Sequence, residues 1–169
     1  MVRSKTTPRE VNEVLTRSSS LIGLCELPPS YFRGSAPRTG AGPAPVWLYH
    51  QQSGGSPGRA RIELGSLPDS AHLTWKEQDA RRVQLVGCTG IDKDDNWATG
   101  RTCTYAGRSV PLRTGKYLLE LRAAATGHVI ASGKVVPASR QCPAEEGYIT
   151  PSAEEYADAF EQLAKEAAG

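Results

Sequence analysis

The chain has 169 residues, 38% of them hydrophobic, and a formal net charge of +2. That length fits one domain able to bury its own core. The near-neutral charge gives no footing for a strongly basic nucleic-acid surface, and no run approaches the ~18 consecutive apolar residues of a membrane-spanning helix.

The first predicted element is a helix. Thr7, Pro8 and Glu10 make a capping box with proline at the first helical position, and Val11, Val14 and Leu15 fall on one face, so the helix should end near Ser18. The start "MVRSKTTPREVNEVL" has no apolar leader core, so any membrane contact is expected to come through an anchor outside this chain. "SLIGLCEL" then reads as an extended segment that delivers Cys25 to the core.

Residues 28 to 45 hold five prolines and three glycines, a composition that predicts a long surface loop. Tyr31 and Phe32 are its large apolar anchors, suited either to pinning the loop or to touching a partner.

"VWLYHQQ" predicts a strand, "SGGSPGR" a turn and "RARIELGSL" a return strand. "LPDSAHLTWKEQDA" reads as one helical turn or an irregular bridge, and "RRVQLVGC" as a strand running into Cys88. "TCTYAG" resumes the sheet after a polar connection over residues 89–102. "GKYLLELRAAATGHVIASGKVV" is a hairpin with Tyr117, Leu119, Leu121 and Ala123 along one face. The chain closes on an amphipathic helix, capped by Ser152 and Glu155, with Tyr156, Phe160, Leu163 and Ala164 on its apolar stripe.

The fold expected is a single α+β domain over residues 1–169. It has an N-terminal helix and strand in 1–27, the Pro/Gly loop in 28–45, a mostly antiparallel sheet in 46–149 and the helix in 150–168. Charge is uneven along it. Seven basic residues and one acidic residue lie between Arg101 and Arg140, while seven acidic residues and one lysine follow Cys142. An acidic helix balancing a basic sheet accounts for this without a nucleic acid.

Four cysteines at positions 25, 88, 103 and 142 form no C-x-x-C pair and match no common zinc spacing. Two disulfides in an oxidising compartment are the expectation. Residues 89–102 read as a polar loop that Cys88–Cys103 staples for a gain on the order of 3 kcal/mol, and Cys25–Cys142 is left as the second bridge. Read as a calcium loop, "DKDDNWATGRTC" offers Asp92, Asp94 and Asn96. It has Trp97 where glycine is required and Cys103 where glutamate is required, so no metal or cofactor is expected. The three histidines, at 50, 72 and 128, belong to no catalytic motif. Triad members need only meet in space, but chance composition explains them better, and no catalytic residue is assigned.

In order, "VQLVGC", "CTY", "AATGHVIA" and "QCP" run through the segment from Leu67 to Pro143. That series resembles uncharacterised disulfide-containing extracytoplasmic domains of actinobacterial membrane-anchored or secreted proteins. The resemblance implies an exported, disulfide-bonded, non-enzymatic module. The functional expectation is a binding or structural module that contacts another protein of the envelope or extracellular space. Tyr31, Phe32 and Trp97 are its candidate contact residues. The alternatives are a secreted hydrolase inhibitor presenting a stapled loop and a small secreted hydrolase.

Overall fold

A computed structural model describes residues 6–40, 42–51 and 59–169. The "SGGSPGR" turn falls almost wholly outside the described residues. Strands β1 (Arg9–Val11) and β2 (Ser30–Phe32) pair in parallel as a small two-stranded sheet. Strands β3 (Ala44–Gln51), β4 (Arg59–Ile62), β5 (Leu73–Thr74), β6 (Leu85–Tyr105), β7 (Arg108–Ala123) and β8 (Val129–Val135) form the main sheet. Its order is β4-β3-β6-β7-β8, with β5 beside the start of β3. Helix α1 spans Ala153–Ala168. The α+β class and the mostly antiparallel sheet follow the sequence reading. The β3–β6 pair is parallel, because β4, β5 and a 3-10 turn at Ala80–Arg82 carry the chain back between them.

Alternation along the strands gives the sheet two buried faces. Val46 and Leu48 of β3, Leu85 of β6, and Leu119 and Leu121 of β7 face Tyr156, Phe160, Leu163 and Ala164 of α1. The stripe of α1 is therefore core, as the pattern predicts. Ser152 caps the helix by accepting the Glu155 amide, and the Glu155 carboxylate accepts the Ser152 amide in return. Phe160 is wholly buried. It reaches the sheet because residue 87 has no side chain: a Cβ on Gly87 would lie 2.7 Å from Phe160 Cε1.

The opposite face buries Trp47, Tyr49, Val86 and Cys88 under Leu21, Leu24 and Cys25. What covers it is not the expected N-terminal helix but extended chain leading to a 3-10 turn at Ile22–Cys25. Glu10 pairs with Arg33 at 2.8 Å instead of closing a capping box, and Val14 is 84% exposed, so the predicted helix face has nothing to pack on. A short helix without tertiary packing is marginal in water; pairing β1 with β2 satisfies the backbone instead. The Pro/Gly segment is also more regular than expected. It contains β2, and β3 begins at Ala44 and runs through Pro45.

The predicted disulfides are wrong in their partners. The bridges are Cys25–Cys88, with Cα atoms 5.4 Å apart, and Cys103–Cys142, at 5.8 Å. The error has one cause: residues 89–102 are not a loop. They continue β6, and Cys88 and Cys103 stand opposite Glu120 and Val110 of β7. Those partners are ten positions apart, roughly 33 Å at ~3.3 Å per residue, where a disulfide needs Cα atoms within ~7 Å. Two bridges suit an oxidising, extracytoplasmic environment. Among the described residues no helix is long and apolar enough to cross a membrane.

Candidate functional site

The length of β6 and β7 produces the feature that stands apart from the body. Pairing of β6 with β3 ends at Thr89, and pairing of β7 with β8 ends at Tyr117. Beyond those points the two strands continue together as an arm, residues 92–105 and 108–116, turning at Ala106 and Gly107. Both turn residues have positive φ, 47° and 77°, as a two-residue hairpin whose twist matches its strands requires.

Two irregularities shape the arm. Four residues of β6, 92–95, lie between the pairs Ile91↔Tyr117 and Asn96↔Gly115, and three more, 99–101, between Ala98↔Arg113 and Thr102↔Pro111. The acidic run "DKDD" is the first bulge. Two of its three carboxylates are engaged by lysines: Asp92 accepts Lys134 Nζ at 3.2 Å and Asp95 meets Lys116 at 2.7 Å. The Asp94 amide, with Lys134 beside it, holds the Asp92 carboxyl below its usual range. Asn96 closes the bulge by donating to the Asp92 and Lys93 carbonyls, and its Oδ1 accepts from Arg113 at 2.9 Å and from the Tyr148 hydroxyl at 3.3 Å.

Between the two bulges, the paired residues Asn96–Ala98 hold Trp97 opposite Thr114. Thr114 is fully buried, whereas Trp97 is 40% exposed. The ring is thus carried into solvent from a fixed backbone, which is the geometry of a contact residue. Tyr31 and Phe32 differ. Both are half-buried and pack against the Leu21–Leu24 core.

Residues 142–151 form a strap from the arm back to α1. The Cys103–Cys142 bond fastens one end; Tyr105 donates to the Pro143 carbonyl at 2.8 Å and Arg108 pairs with Glu146. At the other end Ile149 N donates to Arg113 O at 2.9 Å, and Tyr117 donates to Ile149 O at 2.9 Å. The Arg113 guanidinium lies 5.8 Å from the Tyr148 ring centre, within reach of a cation–π contact. Cys103, Leu112 and Ile149 are a small core of their own. Beside it lies a cleft of about 230 Å³ lined by Tyr105, Leu112, Arg113, Glu146 and Tyr148. It is smaller than the ~300–1,000 Å³ usual for small-molecule sites and has room for a side chain or two. Sequence reading missed strap and cleft. The signal was there in the apolar pair Tyr148–Ile149 before the helix and in the alternation of Val110, Leu112 and Thr114.

One cluster joins a hydroxyl, a carboxylate and an imidazole. Ser70, His72 and Glu161 do meet, but in the wrong order for nucleophile activation. The Ser70 hydroxyl donates to Glu161, and His72 approaches the same carboxylate through both its amide and Nδ1, the latter at 2.5 Å. In a triad the hydroxyl bonds the imidazole and the carboxylate lies behind it. Here the carboxylate sits between them and ties α1 to the loop before β5. Burial would raise the Glu161 pKa, but hydrogen bonds from Ser70 and His72 outweigh it and hold it below the ordinary value. His50 stands apart on β3, with its pKa lowered by burial, and His128 lies at the β7–β8 turn.

Compared with known protein families, with curated proteins and with solved structures, the chain matches none.

Proposed function

We propose that this protein is an exported, non-enzymatic binding module that acts through contact with another protein of the envelope or extracellular space, and that the arm is its contact element. The observation that carries this reading is Trp97, solvent-facing on an arm whose shape is fixed by a disulfide, a strap and two bulges. Tryptophan is enriched among the residues that dominate binding energy, and ordering such a side chain in advance lowers the entropic cost of association. The two disulfides support export. The motif order that resembles actinobacterial exported domains agrees with it. The order of Ser70, Glu161 and His72 supports a structural use for the one hydroxyl–carboxylate–imidazole cluster described above.

The test is site-specific photo-crosslinking in the native envelope fraction. A benzophenone side chain at position 97 is expected to capture a discrete partner that the same group at position 165, on exposed helix surface, does not. The same band from both positions, or none from 97, overturns the arm reading.

The inhibitor alternative is favoured by the Ala106–Gly107 tip, a convex turn near the bridge at Cys103. An inhibitor would lose activity against its hydrolase on Arg108→Ala and keep it on Trp97→Ala. The preferred reading expects the reverse order of effects on partner binding.

A further inference from the structure

The two disulfides occupy opposite environments. Cys25 and Cys88 are each 6% exposed, between the 3-10 turn and β6, within the core that Leu21, Leu24 and Tyr49 complete. Cys103 is similarly buried, at 3%, but Cys142 is an exposed residue at the outer end of the strap. Arg101 donates to the Arg140 carbonyl at 3.0 Å, which ties the residues just before Cys103 to those just before Cys142. Access governs thiol–disulfide exchange, and of the four cysteines only Cys142 is exposed.

We propose that Cys103–Cys142 is a thiol-exchange site, reduced in the folded protein by a protein dithiol while Cys25–Cys88 stays closed. The thiolate of the dithiol attacks Cys142 Sγ. The intramolecular S–S bond breaks, and its electron pair leaves on Cys103 Sγ, which takes a proton from solvent. The second thiol of the reductant then attacks the mixed disulfide and releases Cys142 as a thiol. Two electrons and two protons pass to this chain, and the dithiol becomes a disulfide. Reduction frees the outer end of the strap from its covalent tie and leaves the weaker Tyr105–Pro143 and Arg101–Arg140 hydrogen bonds and the Arg108–Glu146 ion pair there. The inner end stays fixed through Ile149. The cleft beside Tyr105 and Leu112 then opens from one side, so the arm has a locked and an unlocked form.

The experiment is timed reduction of the oxidised full chain with dithiothreitol, quenched by alkylation and read by peptide mapping, with α1 followed by circular dichroism. Cys103 and Cys142 are expected to label at least roughly tenfold faster than Cys25 and Cys88, with the helix signal unchanged. Trypsin cleavage after Arg140 should accelerate over the same interval. In a second arm, a thioredoxin-type dithiol protein lacking its resolving cysteine is expected to trap a mixed disulfide on Cys142. Simultaneous labelling of all four cysteines, earlier labelling of Cys25 and Cys88, or no mixed disulfide on Cys142 overturns the proposal.

Discussion

Body and arm share two strands but are stabilised by different means. In the body, β6 and β7 lie within the sheet, covered on one face by α1 and on the other by the Leu21–Cys25 segment. Leu85, Val86, Leu119 and Leu121 are wholly buried there, packed so closely that residue 87 cannot carry a side chain. In the arm the same strands have neither cover. The apolar core of the arm is the small cluster of Cys103, Leu112 and Ile149 with their fringe, and the rest is done by a disulfide, the Asn96 hydrogen bonds and ion pairs. Apolar burial contributes in proportion to area, while exposed ion pairs are worth ~0–1 kcal/mol each. The body should therefore set the stability of the whole, and the arm should depend on its covalent bond for shape.

The largest expected effect falls on the body. Phe160→Ala removes a fully buried ring and should cost roughly 3–5 kcal/mol, seen as a lower midpoint in chemical denaturation. An unchanged midpoint would make α1 a dispensable cover and erase the contrast. The disulfides come next and sharpen it. They close loops of similar span, 63 and 39 residues, so chain entropy alone assigns each roughly 4 kcal/mol. If body and arm are energetically distinct, Cys25→Ser with Cys88→Ser lowers the global unfolding midpoint. Cys103→Ser with Cys142→Ser instead shows mainly as faster amide exchange confined to the arm and strap. Equal global losses would mean that the two regions unfold as one.

A smaller effect is set by pH. The Glu161 pKa is held below the ordinary glutamate value of 4.5. Its contribution is thus fully present above that pH and is lost as pH falls through the folded value beneath it. Glu161→Gln should flatten this acid-side slope by on the order of 1 kcal/mol, read from denaturation midpoints between neutral pH and pH 3. A slope identical to that of the wild type would remove Glu161 as the tie between α1 and the Ser70–His72 loop. The smallest stability effect belongs to Trp97→Ala, within about 0.5 kcal/mol. A loss above 2 kcal/mol would show the ring to be a structural part of the arm.

The same contrast explains what could be read from sequence. Tyr156, Phe160 and Leu163 follow helical spacing, and Leu119 and Leu121 follow strand spacing, so the helix and hairpin of the body were legible from periodicity. The arm was not. Asp92 to Asp95 and Thr99 to Arg101 read as loop residues because they are bulges, and they hid the continuous pairing on either side. That misreading moved both cysteine partners at once. The N-terminal helix failed differently: Thr7, Pro8 and Glu10 give a sound local signal, but Glu10 finds Arg33, twenty-three positions away, and no local pattern carries that. Among the candidate contacts, Trp97 stands exposed, whereas the partial burial of Tyr31 and Phe32 depends on a core assembled from four separate segments.

The connectivity of the bridges bears on how the chain can be made. Cys25 joins Cys88 and Cys103 joins Cys142, so first pairs with second and third with fourth. The two covalent rings follow one another without nesting or interlacing. An oxidant that joins cysteines as they are presented, N-terminus first, reaches the native pattern directly. The ring containing β3, β4 and β5 can close before β7 has been delivered, and neither bond needs reshuffling to admit the other. Oxidation of the chain as it is delivered from its N-terminus should accordingly proceed without a disulfide isomerase.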